Sequence, residues 1–137
     1  MYDLERERVE AINAGENALR SLRYAKSDLD SARMWGIFDI FKGGMISTAI
    51  KHGKIKEASR NIEQAKWDLQ KFSRELRDVS SITGTNFDIG DFATFADFFF
   101  DGLIADFYVQ SKINKARGQV DEAIYRVENV LRQLEGI

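Results

Sequence analysis

The apolar positions of this chain fall on helical seams. Between residues 3 and 33, Leu4, Ala11, Ala18, Ala25 and Ala32 recur every seven positions, with Gly15, Leu22 and Leu29 on the alternate seam positions. Ile12 and Leu19 widen that stripe. Over residues 54–79 the seam is Ile55, Ala58, Ile62, Ala65, Leu69, Phe72, Leu76 and Val79. Over 112–137 it is Ile113, Ala116, Val120, Ala123, Val127, Val130, Leu134 and Ile137. Spacings of three and four residues place each set on one face of an α-helix. Helices with such seams pack at shallow angles, and the alternating alanines let two backbones approach closely. Ile12, Leu19, Trp67, Ile124, Tyr125 and Leu131 lie beside the seams and call for a second neighbour, which favours a bundle over a two-stranded coiled coil.

The spaces between seams set the expected boundaries. "KGGMIS" (42–47) reads as a break, since tandem glycines disfavour helix, and Ser47 reads as the N-cap of the helix that follows. "SSITGTNFDIGD" (80–91) is rich in turn residues and reads as a loop. Two aromatic stretches, "WGIFDIFKG" (35–43) and "ATFADFFFD" (93–101), read as short helices of their own. The chain has no proline, where a usual frequency of about 5% would give about seven, so long helices with few connections are expected. The expected fold is therefore all-α. It is an elongated antiparallel bundle of three long helices (about 3–33, 46–79 and 103–135) with short aromatic helices at about 35–42 and 91–100, in one domain spanning 1–137.

The later two seams superpose at an offset of 58 residues. Gly44 falls on Gly102, Ile46 on Ile104, Lys54 on Lys112, Ile55 on Ile113, Ala58 on Ala116, Ala65 on Ala123 and Leu76 on Leu134. Trp67 falls on Tyr125, and Asp39, upstream, on Asp97. Each unit reads as an aromatic lead-in, a glycine break and a long alanine-seam helix, so a pseudo-repeat is expected.

Trp35, Gly36, Asp39, Gly43, Gly44, Ile46, Ser47, Thr48, Lys51, His52, Ile55 and Ala58 form the pattern W-G-x-x-D, then glycines, then I-S-T-x-x-K-H and an I-x-x-A helix. This segment resembles one found in uncharacterised bacterial all-helical proteins. The resemblance covers about 25 of the 137 residues, implies a helical fold, and carries no activity with it.

Composition narrows the chemistry. No cysteine is present, which removes disulfides, thiolate metal sites and cysteine nucleophiles and accords with a reducing, cytoplasmic setting. Residues 42–77 hold nine Lys/Arg against four Asp/Glu, but the net charge of the chain is −2 and no groove-reading motif accompanies the basic helix, so no nucleic acid is expected. His52 is the sole histidine, and no Glu-x-x-His pair marks a di-iron bundle. Ser47 and Thr48 follow Gly43 and Gly44, but the spacing is not that of a phosphate-binding loop. Asp39, Asp97, Asp101 and Asp106 could offer oxygens to a hard cation, without the spacing of a calcium loop. The candidate polar site is Asp39, His52 and Asp97; no catalytic, cofactor or metal residue is assigned, and no cofactor is expected.

The aromatic lead-ins are the other candidate. Trp35, Phe38, Phe41, Phe92, Phe95, Phe98, Phe99, Phe100 and Phe107 form an expected aromatic patch. Residues 78–111 hold six aspartates and neither lysine nor arginine, a poor match to an anionic lipid surface. Seven phenylalanines in 87–107 exceed what a thin alanine-seam bundle can bury, and large aromatic patches mark interfaces. The expected role is a non-enzymatic helical interaction or scaffold protein acting as a homodimer. The alternative is a peripheral membrane or lipid-binding helical module using the aromatic segments, and the third reading is a metal-binding or enzymatic helical protein.

Overall fold

The computed structural model describes residues 2–42, 45–84 and 110–137, with side chains described for 3–31, 56–84 and 114–137. All-α is the class: α1 spans Tyr2–Lys42, α2 Met45–Thr83 and α3 Gln110–Glu135, and the described residues include no strand. At 41 residues, α1 is about 60 Å long, taking 1.5 Å per residue.

Several boundaries differ from those the pattern suggests. The stretch 35–42 is not a separate helix; α1 runs through Gly36 without interruption to Lys42. A lone glycine costs a helix about 1 kcal/mol, which a long packed helix absorbs, whereas proline, the residue that would stop it, is missing. Ser47 is not an N-cap, because α2 begins at Met45. The loop after α2 starts later than residue 80. The helix continues to Thr83, where the Ser81 Oγ donates to the Asp78 carbonyl (3.1 Å) and the Thr83 Oγ1 to that of Val79 (3.0 Å). These hydroxyls bond back into the helix rather than competing with it. Gly84 then ends it at φ +74°, donating its N–H to the Ser80 carbonyl at 2.8 Å, a left-handed cap that glycine adopts without penalty. The expected helix at 91–100, and residues 103–109 of the third, lie outside the described residues.

The predicted seams form the core. Ala11, Ala18, Leu22, Ala25 and Leu29 of α1 meet Ala58, Ile62, Ala65, Leu69, Phe72, Leu76 and Val79 of α2 and Ala116, Val120, Ala123, Val127, Val130 and Leu134 of α3. Fully burying one Leu, Ile or Phe side chain contributes about 1.5–3 kcal/mol, so this seam is the main source of stability. Ile137 does not extend it: Gly136 follows the last residue of α3, and Ile137 stays 41% exposed.

α1 is the central helix. Its backbone closely approaches both α2 and α3, while no such approach joins α2 to α3 among the described residues. The cause is visible at Gly15, where a Cβ would lie 2.7 Å from Leu131 Cδ2 and 2.9 Å from Phe72 Cε1 and Cζ. Side chains from both flanking helices converge on a position with no side chain of its own.

Polar pairs at the seam margins fix direction. Ser21 Oγ donates to Asp68 Oδ2 (2.5 Å) and Asn61 Nδ2 to Asp28 Oδ2 (2.7 Å), so α2 runs antiparallel to α1. Lys26 Nζ lies 2.8 Å from Asp121 Oδ1, Arg117 pairs with Asp30, and Arg8 reaches the end of α3, so α3 is antiparallel to α1 as well. The bundle is thus antiparallel about α1, with α2 and α3 running the same way.

Candidate functional site

The side chains of the expected site residues lie outside the described residues. Trp35, Phe38, Asp39 and Phe41 lie in the last turns of α1, and His52 lies in the N-terminal part of α2. That places Asp39 and His52 near the same end of the α1–α2 hairpin. Their side chains, and all of Phe92, Phe95, Asp97, Phe98, Phe99, Phe100 and Phe107, lie outside the described residues. Asp101 and Asp106 do too.

The residues beside the seams divide into two groups. Leu19 and Leu131 are buried, and Ile12 and Ile124 are packed partly against the core. Trp67 and Tyr125 are 59% and 64% exposed. On α2 the core face is centred near Leu69 and Ala65, and Trp67 sits half a turn away from both, on the outward face. Tyr125 stands in the same relation to Ala123 and Val127 on α3. Tyr24 of α1 is also outward, 58% exposed. It rims a surface groove of about 570 Å³ between α1 and α3. Leu19 and Leu131 lie in that groove beside Glu16, Arg20, Arg23, Glu128, Arg132 and Glu135, an even balance of charge. An exposed Trp or Tyr carries a large apolar area on a side chain with few rotatable bonds, which suits it to protein contact.

Sequence reasoning missed a second feature, at the opposite end of the hairpin. Carboxylate oxygens of Glu7 and Glu10 of α1 and Glu75 of α2 all lie within 4.8 Å of one another. One oxygen of Glu7 and one of Glu75 is buried without a hydrogen-bond donor. Burial, then the charges of Glu10, Asp78 and Glu7, push the Glu75 carboxyl above the usual carboxylate range, against a smaller opposing effect of Lys71. Glu7 and Glu10, three apart, share a helix face that the sequence shows. Glu75 joins them only through the antiparallel packing. Hard cations take oxygen ligands of this kind, but Glu7 and Glu75 are only partly buried and Glu10 is exposed.

The remaining polar contacts hold the helices together. Arg8 Nε donates to the Leu134 carbonyl at 2.9 Å and its Nη2 to that of Glu135 at 3.2 Å, so the first turns of α1 cap the last turn of α3. Lys26 is raised above the usual lysine range by its hydrogen bond to Asp121 and by the charge of Asp121, with burial opposing. No helix of the described residues is long and apolar enough to cross a membrane. No protein family, curated protein or solved structure matches the chain.

Proposed function

We propose that this chain is a non-enzymatic helical interaction or scaffold protein that acts as a homodimer. The observation that supports the reading best is the division of its large apolar residues. The seams of all three helices close on one another, yet Tyr24, Trp67 and Tyr125 stand more than half exposed on the outside. Large aromatic side chains are enriched in protein–protein contacts relative to the rest of a protein's surface. The aromatic lead-ins at 35–43 and 93–101 are the proposed dimer contact.

We also read the chain as a pseudo-repeat at the offset of 58. Asn61 of α2 bonds Asp28; its equivalent on α3 is Gln119, which lies between Arg117, bound to Asp30, and Asp121, bound to Lys26. Equivalent residues of α2 and α3 thus stand at the same height against α1, and Trp67 and Tyr125 are one such pair. Light scattering on the purified chain at micromolar concentration tests the main claim. A mass of twice 15.7 kDa is expected, and a monomer overturns the homodimer.

A further inference from the structure

α2 and α3 run in the same direction, so the chain has to return between them. The Ser21–Asp68 and Asn61–Asp28 bonds set the register of α2 on α1 and put Gly84 about level with Glu5. The Lys26–Asp121 and Arg117–Asp30 pairs set that of α3 and put Gln110 about level with Ile37. Along α1, Glu5 and Ile37 are about 48 Å apart at 1.5 Å per residue. Residues 85–109 have to cover that length, from one end of the bundle to the other. As many residues in one helix would reach about 38 Å, and fully extended about 80 Å. The link can therefore be helical over about twenty residues if the rest is extended.

The described helices leave a place for it. α2 and α3 flank α1 without approaching one another, which leaves a cleft between them. Yet both rows of each seam are closed to water: Ala65 and Leu69 on α2, and Ala123 and Val127 on α3, all near mid-length, are 1% exposed or less. In a simple pair of helices the flanks of such a stripe stay partly open, and closing both rows takes a second neighbour. α1 is one neighbour of each, and the other flanking helix is too distant to be the second. The sequence of the link supplies a matching surface. Phe92, Phe95, Phe99 and Leu103 recur at spacings of three and four, the period of the seams themselves.

We propose that residues 85–109 of the same chain occupy the cleft between α2 and α3, run parallel to α1, and complete the core as its fourth member. Connectivity takes this segment the length of the bundle in any case, and the cleft is where its apolar stripe finds two open seams. At helical spacing Phe98 and Phe100 fall off that stripe, so the dimer contact proposed above keeps aromatic residues of its own. The inference does not depend on that dimer.

Nuclear Overhauser contacts in the isotope-labelled full chain test this, and the wild type carries the test, so no variant has to fold. The register predicts an order. The Phe92 ring should contact the methyls of Leu76 and Val130, and the Leu103 methyls should contact those of Ile62 and Val120, nearer the far end. Amides between residues 92 and 103 should be protected from hydrogen exchange to the same degree at every protein concentration. A sample mixing labelled with unlabelled chains separates contacts within a chain from contacts between chains. Contacts in the predicted order within one chain support the inference. The same contacts found only between chains overturn it in favour of a second copy in the cleft. Contacts in the reverse order overturn the direction, and amides that exchange at the unprotected rate overturn the docking altogether. The readout is the cleft and not the mass of the particle, so a monomer by light scattering would overturn the homodimer alone.

Discussion

Replacing Gly15 by alanine probes the tightest point of the bundle. In an exposed helix interior, Gly→Ala adds about 0.5–1 kcal/mol through helix propensity. At Gly15 the added methyl would meet Leu131 Cδ2 at 2.7 Å and the Phe72 ring at 2.9 Å, closer than carbon atoms pack. Leu131 borders the groove between α1 and α3 and can yield, but Phe72 is fully buried and its ring has no open space to retreat into. Overpacking of this kind typically costs about 1–3 kcal/mol. The packing cost therefore wins, and Gly15→Ala should destabilise by about 1–2 kcal/mol net, a fall of roughly 3–8 °C in the melting temperature of a chain this size. Gly118 is the control. Its added Cβ would meet nothing within 4 Å, so Gly118→Ala should stabilise by about 0.5–1 kcal/mol. The same chemical change then has opposite signs at the two sites. Urea and thermal unfolding followed by circular dichroism measure both. In a double-mutant cycle, Gly15→Ala and Leu131→Ala should cost less together than the sum of the two, because truncating Leu131 makes room for the methyl. A Gly15→Ala variant as stable as the wild type would refute the three-helix convergence at this position.

Two further outcomes follow from the polar contacts. Arg8→Met keeps the apolar stem of the side chain but removes the donors to the Leu134 and Glu135 carbonyls; it should cost about 1 kcal/mol and speed amide exchange in the last turn of α3, and unchanged exchange there would refute the cap. Glu75 has a folded-state pKa raised above its unfolded value, so the folded chain binds its proton more tightly; the penalty is fully present above the folded pKa and is relieved as pH falls through it toward the unfolded value. Stability measured from neutral pH into the weakly acidic range should therefore gain a favourable contribution that Glu75→Gln removes, and identical pH profiles for the two proteins would refute the repulsion among Glu7, Glu10 and Glu75.

The proposed contact surface was legible only in part. The pattern marked Trp67 and Tyr125 as residues in need of a neighbour, together with Leu19, Ile12, Ile124 and Leu131. It could not divide them, because a position beside a seam is covered or bare according to where the next helix lies. The acidic cluster was invisible for a similar reason. Glu7 and Glu10 are local, but Glu75 arrives from a different helix.

What the sequence by itself determined was the existence of the three long helices and the face each buries. Those follow from the 3.6-residue period, a local property, and nearly every seam residue with a described side chain is buried. It misjudged ends where local preference competed with helix continuity, at Gly36, Ser47, Ser80 and Ser81. Only the tertiary structure decided that α1 is central, that α2 and α3 run in the same direction, and that Trp67 and Tyr125 face outward. Those depend on which seams meet, and seams of alanine and branched aliphatics are alike enough that period alone does not choose their partners. The choice rests on close contacts such as Phe72 and Leu131 over Gly15, and on margin pairs such as Asn61 with Asp28 and Lys26 with Asp121, which exist only once the helices are together.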